Sequence, residues 1–301
     1  MDKGNNLYYG FIGQWVLRLR KLKDLDEEIK RNIKLALTED MGAGDLTASL
    51  IPDEVVLTAN IVCREHAILC GTQWFDACFE ALQPALQINW FVKDGDAIKP
   101  AQKLCTVNGN ARILLSAERP ALNFLQMLSA VSTQTRRFVD AVAGTNVAIV
   151  DTRKTLPGLR RAQKYAVKCG GGVNHRLGLY DGILIKENHI MAAGGIDSAL
   201  KKAQQVALPD MFIQIEVESL QELQAALTAG AKMILLDNFT LDQLRDAVKL
   251  TRQQSGEPVI LEASGNITLE NVRQVAQTGI DRISIGSLTK DIKAIDLSML
   301  F

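Results

Sequence analysis

The sequence predicts an α/β fold whose second half is built on a parallel sheet. Two observations predict it. From residue 147 onward, short apolar runs alternate with helical patterns, and every one of those runs leads directly into polar or small residues. Before that point the texture differs, with short strand-like runs over 55–108 punctuated by Gly71, Gly95 and Gly109 around one helical stretch near 72–83. Strand–helix alternation implies right-handed βαβ units and a parallel sheet. A closed barrel and an open doubly wound sheet both satisfy that pattern.

The elements can be justified in order. Residues 1–27 form an N-terminal extension with an aromatic, glycine-containing start and a basic, apolar run from Trp15 to Lys23. That run suits a helix on a membrane surface or, the preferred reading, an arm packed on the body or on a partner subunit. Ile29, Ile33 and Leu37 repeat at fours and predict a helix over 27–37, broken by Gly42 and Gly44. A long helix is expected over 118–142, with Leu122, Leu125, Leu128, Val131, Phe138 and Val142 on one face and Pro120 in its first turn. The domain boundary falls in or just before it.

Strands come next at 147–150, 183–185, 213–215, 233–236, 259–261 and 282–285, with helices near 197–207, 219–229, 241–255 and 268–278. Ser219 with Glu222 and Thr240 with Gln243 have capping-box spacing, and Gly230 and Gly279 stand where helices stop.

Composition excludes several function classes. Lys plus Arg and Asp plus Glu each number 34 in 301 residues, so the formal net charge is +0, and 47% of residues are hydrophobic. A core-forming chain of neutral charge is neither disordered nor a general nucleic-acid binder. No apolar run approaches the roughly 18 residues of a membrane span, and the cytoplasm is the expected compartment. The 5 cysteines include no CxxC pair. Cys63, His66 and Cys70 lie close in sequence but lack a fourth ligand, so free thiols are expected rather than structural zinc.

The residues at the strand ends suggest chemistry. The first strand leads into Asp151, Arg153 and Lys154, and the second into Lys186 and His189. Glu216 and Glu218 end the third, Asp237 the fourth, Glu262, Ser264 and Gly265 the fifth, and Gly286 and Ser287 the sixth. Functional groups at the carboxyl ends of parallel strands suit a barrel whose active site opens at that face. The small residues Ser264-Gly265-Asn266 and Gly286-Ser287-Leu288-Thr289 after the last two strands suit a phosphate loop. Arg153, Lys154, Arg160, Arg161, Lys164, Lys168, His175, Arg176 and Lys186 crowd a short span of a neutral protein. Arginine reads carboxylates bidentately and lysine serves phosphate as a point charge, so the ligand is expected to carry both. The acidic Glu216 and Asp237 would suit ribose hydroxyls, Mg²⁺ or a developing cation.

Three segments then become specific: Asp151-Thr-Arg-Lys-Thr155, Gly170-Gly-Gly-Val-Asn-His-Arg176 and Leu184-Ile-Lys-Glu-Asn-His189. With Glu39-Asp-x-Gly-x-Gly-Asp-x-Thr47, Ala117-Glu-Arg-x-Ala-Leu-Asn-Phe-Leu-Gln126, Glu216-Val-Glu218, Leu236-Asp-Asn238 and Glu262-Ala-Ser-Gly265, they resemble the quinolinate phosphoribosyltransferase (decarboxylating) family. The resemblance runs from about residue 28 to the end. It implies an N-terminal α/β sandwich domain over 28–130, an incomplete α/β barrel over 131–289, and a C-terminal stretch, 290–301, that returns to the first domain.

It also implies roles. Arg119, Arg153, His175, Arg176 and Lys186 would hold the quinolinate carboxylates, with Arg119 supplied across a homodimer, either free or within a hexamer of dimers. Lys154, Glu216 and Asp237 would serve phosphoribosyl pyrophosphate and its Mg²⁺, and Ser264, Gly265, Asn266, Gly286, Ser287 and Thr289 would line the phosphate loop. The catalytic set would be Lys154, Lys186, Glu216 and Asp237. Two departures stand at the phosphate end: the family usually has Gly at Asn266, and Thr-His-Ser at Thr289-Lys290-Asp291. Beside this reading stand a molybdenum-transport-associated paralogue, a Schiff-base aldolase using Lys186, and a non-catalytic metabolite binder.

Overall fold

The structure is a computed structural model that describes residues 25–84, 86–253 and 257–301. The expectation for Trp15–Lys23, with the extension up to residue 24, lies outside the described residues. Helix α1 (Leu25–Met41) buries Leu25, Ile29 and Ile33 and stops at Gly42, whose φ of +52° is the left-handed conformation that ends helices.

The first unit contains β1 (Val56–Cys63), β2 (Ala67–Ile68), α2 (Thr72–Glu80), β3 (Gln87–Trp90), β4 (Ala97–Ile98) and β5 (Lys103–Asn110). Its main sheet is antiparallel, and α2 packs against the long helix α3 (Ala111–Ala141). Trp74, Phe75, Phe79, Leu104, Leu114 and Leu125 are wholly buried in this core. The one polar atom of Trp74 is satisfied, because its indole N–H donates to Asn32 Oδ1 at 3.0 Å and so ties α1 to the core.

Helix α3 begins seven residues before the sequence-based boundary of 118. Asn110 explains the difference: its Oδ1 accepts from the N–H groups of Arg112 (2.9 Å) and Ile113 (3.4 Å), an N-cap that the apolar periodicity alone does not reveal. Pro120 therefore lies inside the helix, not in its first turn. Its missing N–H leaves the Ser116 carbonyl without its usual partner.

The second unit alternates β6 (Ala148–Val150), α4 (Arg160–Cys169), β7 (Ile183–Ile185), α5 (Glu187–Ala193), α6 (Ile196–Val206), β8 (Ile213–Val217), α7 (Leu220–Thr228), β9 (Met233–Asp237), α8 (Leu241–Arg252), β10 (Ile260–Ser264), α9 (Val272–Ala276), β11 (Arg282–Ser284) and α10 (Ser287–Lys290). Helices α4, α5 and α10 have no counterpart in the sequence-based outline, and the helix expected over 268–278 shortens to α9. Of the two expected capping boxes, Thr240–Gln243 is reciprocal. Glu222 instead reaches the N–H of Glu218 at 2.8 Å.

The strands are all parallel, in the order β6-β11-β10-β9-β8-β7. This settles the open choice in favour of a barrel. His175 sits at 2.7 Å from Gln214 on β8 and 3.8 Å from Glu262 on β10, while its own N–H bonds Asp151 just after β6. One residue can touch three such strands only where the sheet curls around it. β6 and β7 do not pair, so the barrel is incomplete. The breach beside β6 is filled by Val173, whose N–H donates to the Ile149 carbonyl at 2.8 Å and whose carbonyl accepts from Asp151 at 3.1 Å. Finally β12 (Leu297–Leu300) runs antiparallel along β1, with Cys63 opposite Leu297 and Asn60 opposite Leu300.

Asn110→Ala should lower folding stability by about 1 kcal/mol through the lost cap of α3. The denaturant midpoint reads this, and an unchanged midpoint would show that the cap does not hold this end.

Candidate functional site

The carboxyl ends of the barrel strands share one mouth because the strands are parallel. The loop after β6 is organised from below by Asp151, which is fully buried. Its carboxylate forms a short ion pair with buried Lys164 and accepts from Asn174 Nδ2 (2.6 Å) and the His175 N–H (2.8 Å). Burial pushes the Asp151 carboxyl up and the Lys164 ammonium down, while their mutual attraction opposes both shifts. Lys164 thus leaves the basic cluster inferred from sequence: it is a structural cation. Arg160 is likewise spent, donating to Thr155 Oγ1 at 3.0 Å and to the Leu177 carbonyl at 3.1 Å.

Arg153 and Arg176 remain. Arg176 is buried and donates to the Gly182 carbonyl at 3.2 Å. Its acidity is increased first by burial and then by the nearby positive charge of Arg153, with Asp181 opposing. The Nε of Arg153 is itself buried with no hydrogen-bond partner. Two partly desolvated guanidinium groups brought close to each other form a site for an anion.

His175 stands beneath them, not among them. Its Nδ1 accepts from the Arg176 N–H at 2.9 Å, which leaves Nε2 to carry the proton toward Gln214 Oε1 at 2.7 Å. Both ring nitrogens are occupied, and burial lowers the ring's pKa while the Glu262 carboxylate opposes that shift. It belongs to a polar layer inside the barrel that the sequence outline missed. Register places Glu216, Leu235, Glu262 and Arg282 at one level. Glu262 is fully buried, lying within β10 rather than after it, 3.2 Å from Arg282 Nε. Burial alone would raise its carboxyl, but Arg282 and His175 hold it below the usual range. The available signal was a charged residue flanked by apolar neighbours in a strand, as in Leu261-Glu-Ala263; Arg282, next to Asp281 at the start of β11, carried no such signal.

At the opposite side of the mouth, Lys186 pairs with Glu216 at 3.0 Å. Asp237 ends β9 and accepts from Asn238 Nδ2 at 2.8 Å. The Glu218 carboxyl is raised by a shared hydrogen bond and charge repulsion from Glu187, with Glu222 and Asp237 adding to it. This rim is a concentration of carboxylate oxygens.

The residues expected to line a phosphate loop divide. The Lys154 side chain passes directly over Gly286, where an added Cβ would stand 3.1 Å from its Cδ, so Lys154, Gly286 and Ser287 are brought together. Thr289 is buried, and its hydroxyl donates to the Lys154 carbonyl at 2.7 Å; it braces the lysine loop from beneath. Ser264 ends β10, and its carbonyl accepts from the Asn238 N–H at 2.9 Å. Gly265 has φ +100°, and a Cβ there would collide with Asn238 Oδ1. Asn266 also has positive φ, +50°, a conformation that glycine favours and asparagine tolerates among L residues. Its amide points to Asn238 Oδ1 at 3.4 Å. A pocket of about 270 Å³ opens beside these loops, lined by Asn238, Thr240, Ser264, Gly265, Asn266 and Asn271 among others.

Arg119 stands apart. It is exposed on α3, 3.5 Å from Glu118, and among the described residues no hydrogen bond joins it to the strand-end groups. A larger pocket of about 530 Å³ lies against α1, the Leu156–Gly158 loop and the start of α4; it is lined by Arg160 and Arg161 of the basic cluster but by none of the residues assigned to quinolinate, phosphate or metal.

Gly265→Ala should therefore displace Asn238 and disorder the phosphate end, whereas Asn266→Gly should leave the Michaelis constant for a phosphorylated substrate unchanged. Equal behaviour of the two variants in steady-state kinetics would contradict this division.

Comparisons with known proteins agree with the motifs. The family model described as the quinolinate phosphoribosyl transferase N-terminal domain matches residues 45–129, and the one for its C-terminal domain matches residues 131–300. A nicotinate-nucleotide pyrophosphorylase [carboxylating] from Mycobacterium leprae is 41% identical over 92% of this chain and 99% of its own. A quinolinate phosphoribosyltransferase [decarboxylating] of Nicotiana tabacum, described as mitochondrial, is 37% identical over 90% of this chain and 82% of its own. The solved nicotinate-nucleotide pyrophosphorylase of Francisella tularensis superposes with a TM-score of 0.87 at 42% identity, covering 91% of this chain and 95% of that one. With both family models matched in order across most of its length, the chain belongs to the quinolinate phosphoribosyl transferase family.

Proposed function

We propose that this protein transfers the phosphoribosyl group of phosphoribosyl pyrophosphate to quinolinate, with decarboxylation, giving nicotinate mononucleotide, pyrophosphate and CO₂ in de novo NAD biosynthesis. The observation that carries the reading is the Arg153–Arg176 pair, partly desolvated, mutually repelling and with the buried Arg153 Nε lacking a hydrogen-bond partner among the described residues. A planar dicarboxylate suits it, since guanidinium forks bind carboxylates bidentately. Lys186 adds a third positive charge across the mouth. His175, whose ring nitrogens bond Gln214 and the Arg176 N–H, supports this pair by fixing the backbone of Arg176.

Lys154 lies on the phosphate side, over Gly286, and suits the pyrophosphate or 5-phosphate. Glu216 and Asp237 suit the ribose hydroxyls and the cationic sugar of an oxocarbenium-like transition state. The carboxylates of this rim, where a hydrogen bond and charge repulsion from Glu187 raise Glu218, also fit a hard divalent cation that Glu216 and Asp237 would hold, directly or through water. When bound there, Mg²⁺ supplies positive charge for the departing pyrophosphate. The protein's part is positioning and electrostatics: it holds the ring nitrogen against C1 of the ribose, and the quaternised nitrogen then takes up the electron pair released with CO₂. Among the described residues no helix is long and apolar enough to cross a membrane, and we read the protein as a cytoplasmic enzyme.

The test is release of labelled CO₂ from the 2-carboxylate of quinolinate when phosphoribosyl pyrophosphate and Mg²⁺ are added. Binding without CO₂ would leave a metabolite-binding protein, and borohydride trapping of a carbonyl compound on Lys186 would favour an aldolase. Lys154→Ala should abolish turnover while calorimetry still shows quinolinate binding; loss of that binding in a folded variant would overturn the division between Arg153 and Lys154.

The isolation of Arg119 from its own chain's mouth supports a site completed by the partner's Arg119 in a homodimer. Arg119→Ala and Lys186→Ala should each be nearly inactive. Mixed and allowed to exchange, they should recover to about a quarter of wild-type activity, because half the dimers then carry one intact site. No recovery, with exchange confirmed by mass, would mean that Arg119 serves its own chain's site or none.

A further inference from the structure

Outside the strand-end site, one cluster of reactive side chains lies where the two units meet. Cys70 precedes the glycine that opens α2, and Cys169 is the last residue of α4. Their sulfur atoms and a carboxylate oxygen of Asp94 all lie within 4.8 Å of one another. Cys70 is buried, whereas Cys169 is partly open to solvent. The Asp94 carboxylate is already committed: it accepts from the N–H groups of Gly71 and Thr72, each at 3.1 Å, and from Tyr165 Oη at 2.8 Å, so it caps α2 from a distance. Two thiols beside a carboxylate spent in this way fall short of the four ligands of a structural zinc site. The unused chemistry belongs to the sulfurs.

We propose that Cys70 and Cys169 form a site of reversible oxidation whose disulfide joins the sheet unit to the barrel unit. Cys169 is the attacking group, because it is the accessible one and its sulfur lies beside the Cys70 thiol, which favours its thiolate. With hydrogen peroxide as oxidant, the Cys169 thiolate attacks one peroxide oxygen. The O–O bond breaks, a sulfenic acid forms, and the departing hydroxide takes up the proton released by the thiol to leave as water. The Cys70 sulfur then attacks the Cys169 sulfur, the S–O bond breaks, and the Cys70 proton leaves with that oxygen as a second water. Two thiols are oxidised by two electrons and one peroxide is reduced. In a reducing cytosol such a bond is transient, as expected of a redox-responsive pair. It would pin the end of α4 immediately before the Gly170–Arg176 segment that lines the mouth.

The experiment treats the folded full-length protein with equimolar hydrogen peroxide, alkylates remaining thiols, and maps peptides without reduction. The expected result is a loss of two hydrogens, a Cys70–Cys169 linked peptide pair, a raised thermal unfolding midpoint, and reversal by dithiothreitol. Cys169→Ser, with Cys169→Ala as the second variant should the first misfold, should remove the crosslink while keeping unoxidised activity. Oxidation of Cys169 to sulfinic acid with Cys70 still alkylatable after denaturation would overturn the proposal. So would linkage of other cysteines, or stoichiometric Zn²⁺ binding that shields both thiols from peroxide.

Discussion

The ion pair between Asp151 and Lys164 is the constraint that the functional end of the barrel depends on. Burying two charges costs several kcal/mol per ion, and this is offset only where geometry is good and the remaining lone pairs are satisfied. Here they are: Asp151 also takes the Asn174 amide and the His175 N–H, and Lys164 also donates to the His175 carbonyl at 3.1 Å. The pair therefore does more than join β6 to α4. It holds the 173–176 segment in the breach of the barrel, and with it the backbone that carries Arg176. Removing one partner from such a pair costs about 3–5 kcal/mol, and the loss would fall on the segment that shapes the anion site.

Above this clamp the mouth is divided by charge. Arg153, Arg176 and Lys154 gather on the side of β6 and its adjoining loops. Glu216, Glu218 and Asp237 gather on the side of β8 and β9, with Lys186 joining the two through Glu216. A neutral protein thus presents a strongly polarised cleft, so the net charge says little about the local field. The interior layer of Gln214, Glu262, Arg282 and His175 is the counterpart below. It is polar and mostly buried, sets Arg282 against Glu262 and His175 against Gln214, and reaches the backbone of Arg176 through His175.

The sequence made the alternation of the second half, its strand ends and the small residues of the phosphate loops legible, because each rests on local periodicity or on a motif of adjacent residues. The parts that stayed illegible depend on distant contacts. Lys164 and Arg160 share the cationic pattern of Arg153, and only the fold shows that Asp151 and two backbone carbonyls consume them. Barrel closure depends on β11 returning to β6, a pairing of residues 282–284 with 148–150 that no local signal carries. The start of α3 was missed because its cap, Asn110, ends a strand as well. The Gly-to-Asn departure at 266 is explained by a backbone angle, invisible in sequence, that asparagine adopts more readily than most residues.

The placement of β12 has a bearing on how this chain could be divided. The strand that completes one edge of the first sheet comes from the last residues of the protein, and α3, at 111–141, runs uninterrupted across the point where the two family models meet. A fragment ending near residue 130 would lose the edge partner of β1 and cut its own longest helix. A fragment starting there would carry an apolar strand, Leu297–Leu300, with nothing to pair against, which invites association between edges. The two halves are separable as sequence patterns but not as folding units. Recombination between relatives would have to exchange the first unit and the C-terminal tail together.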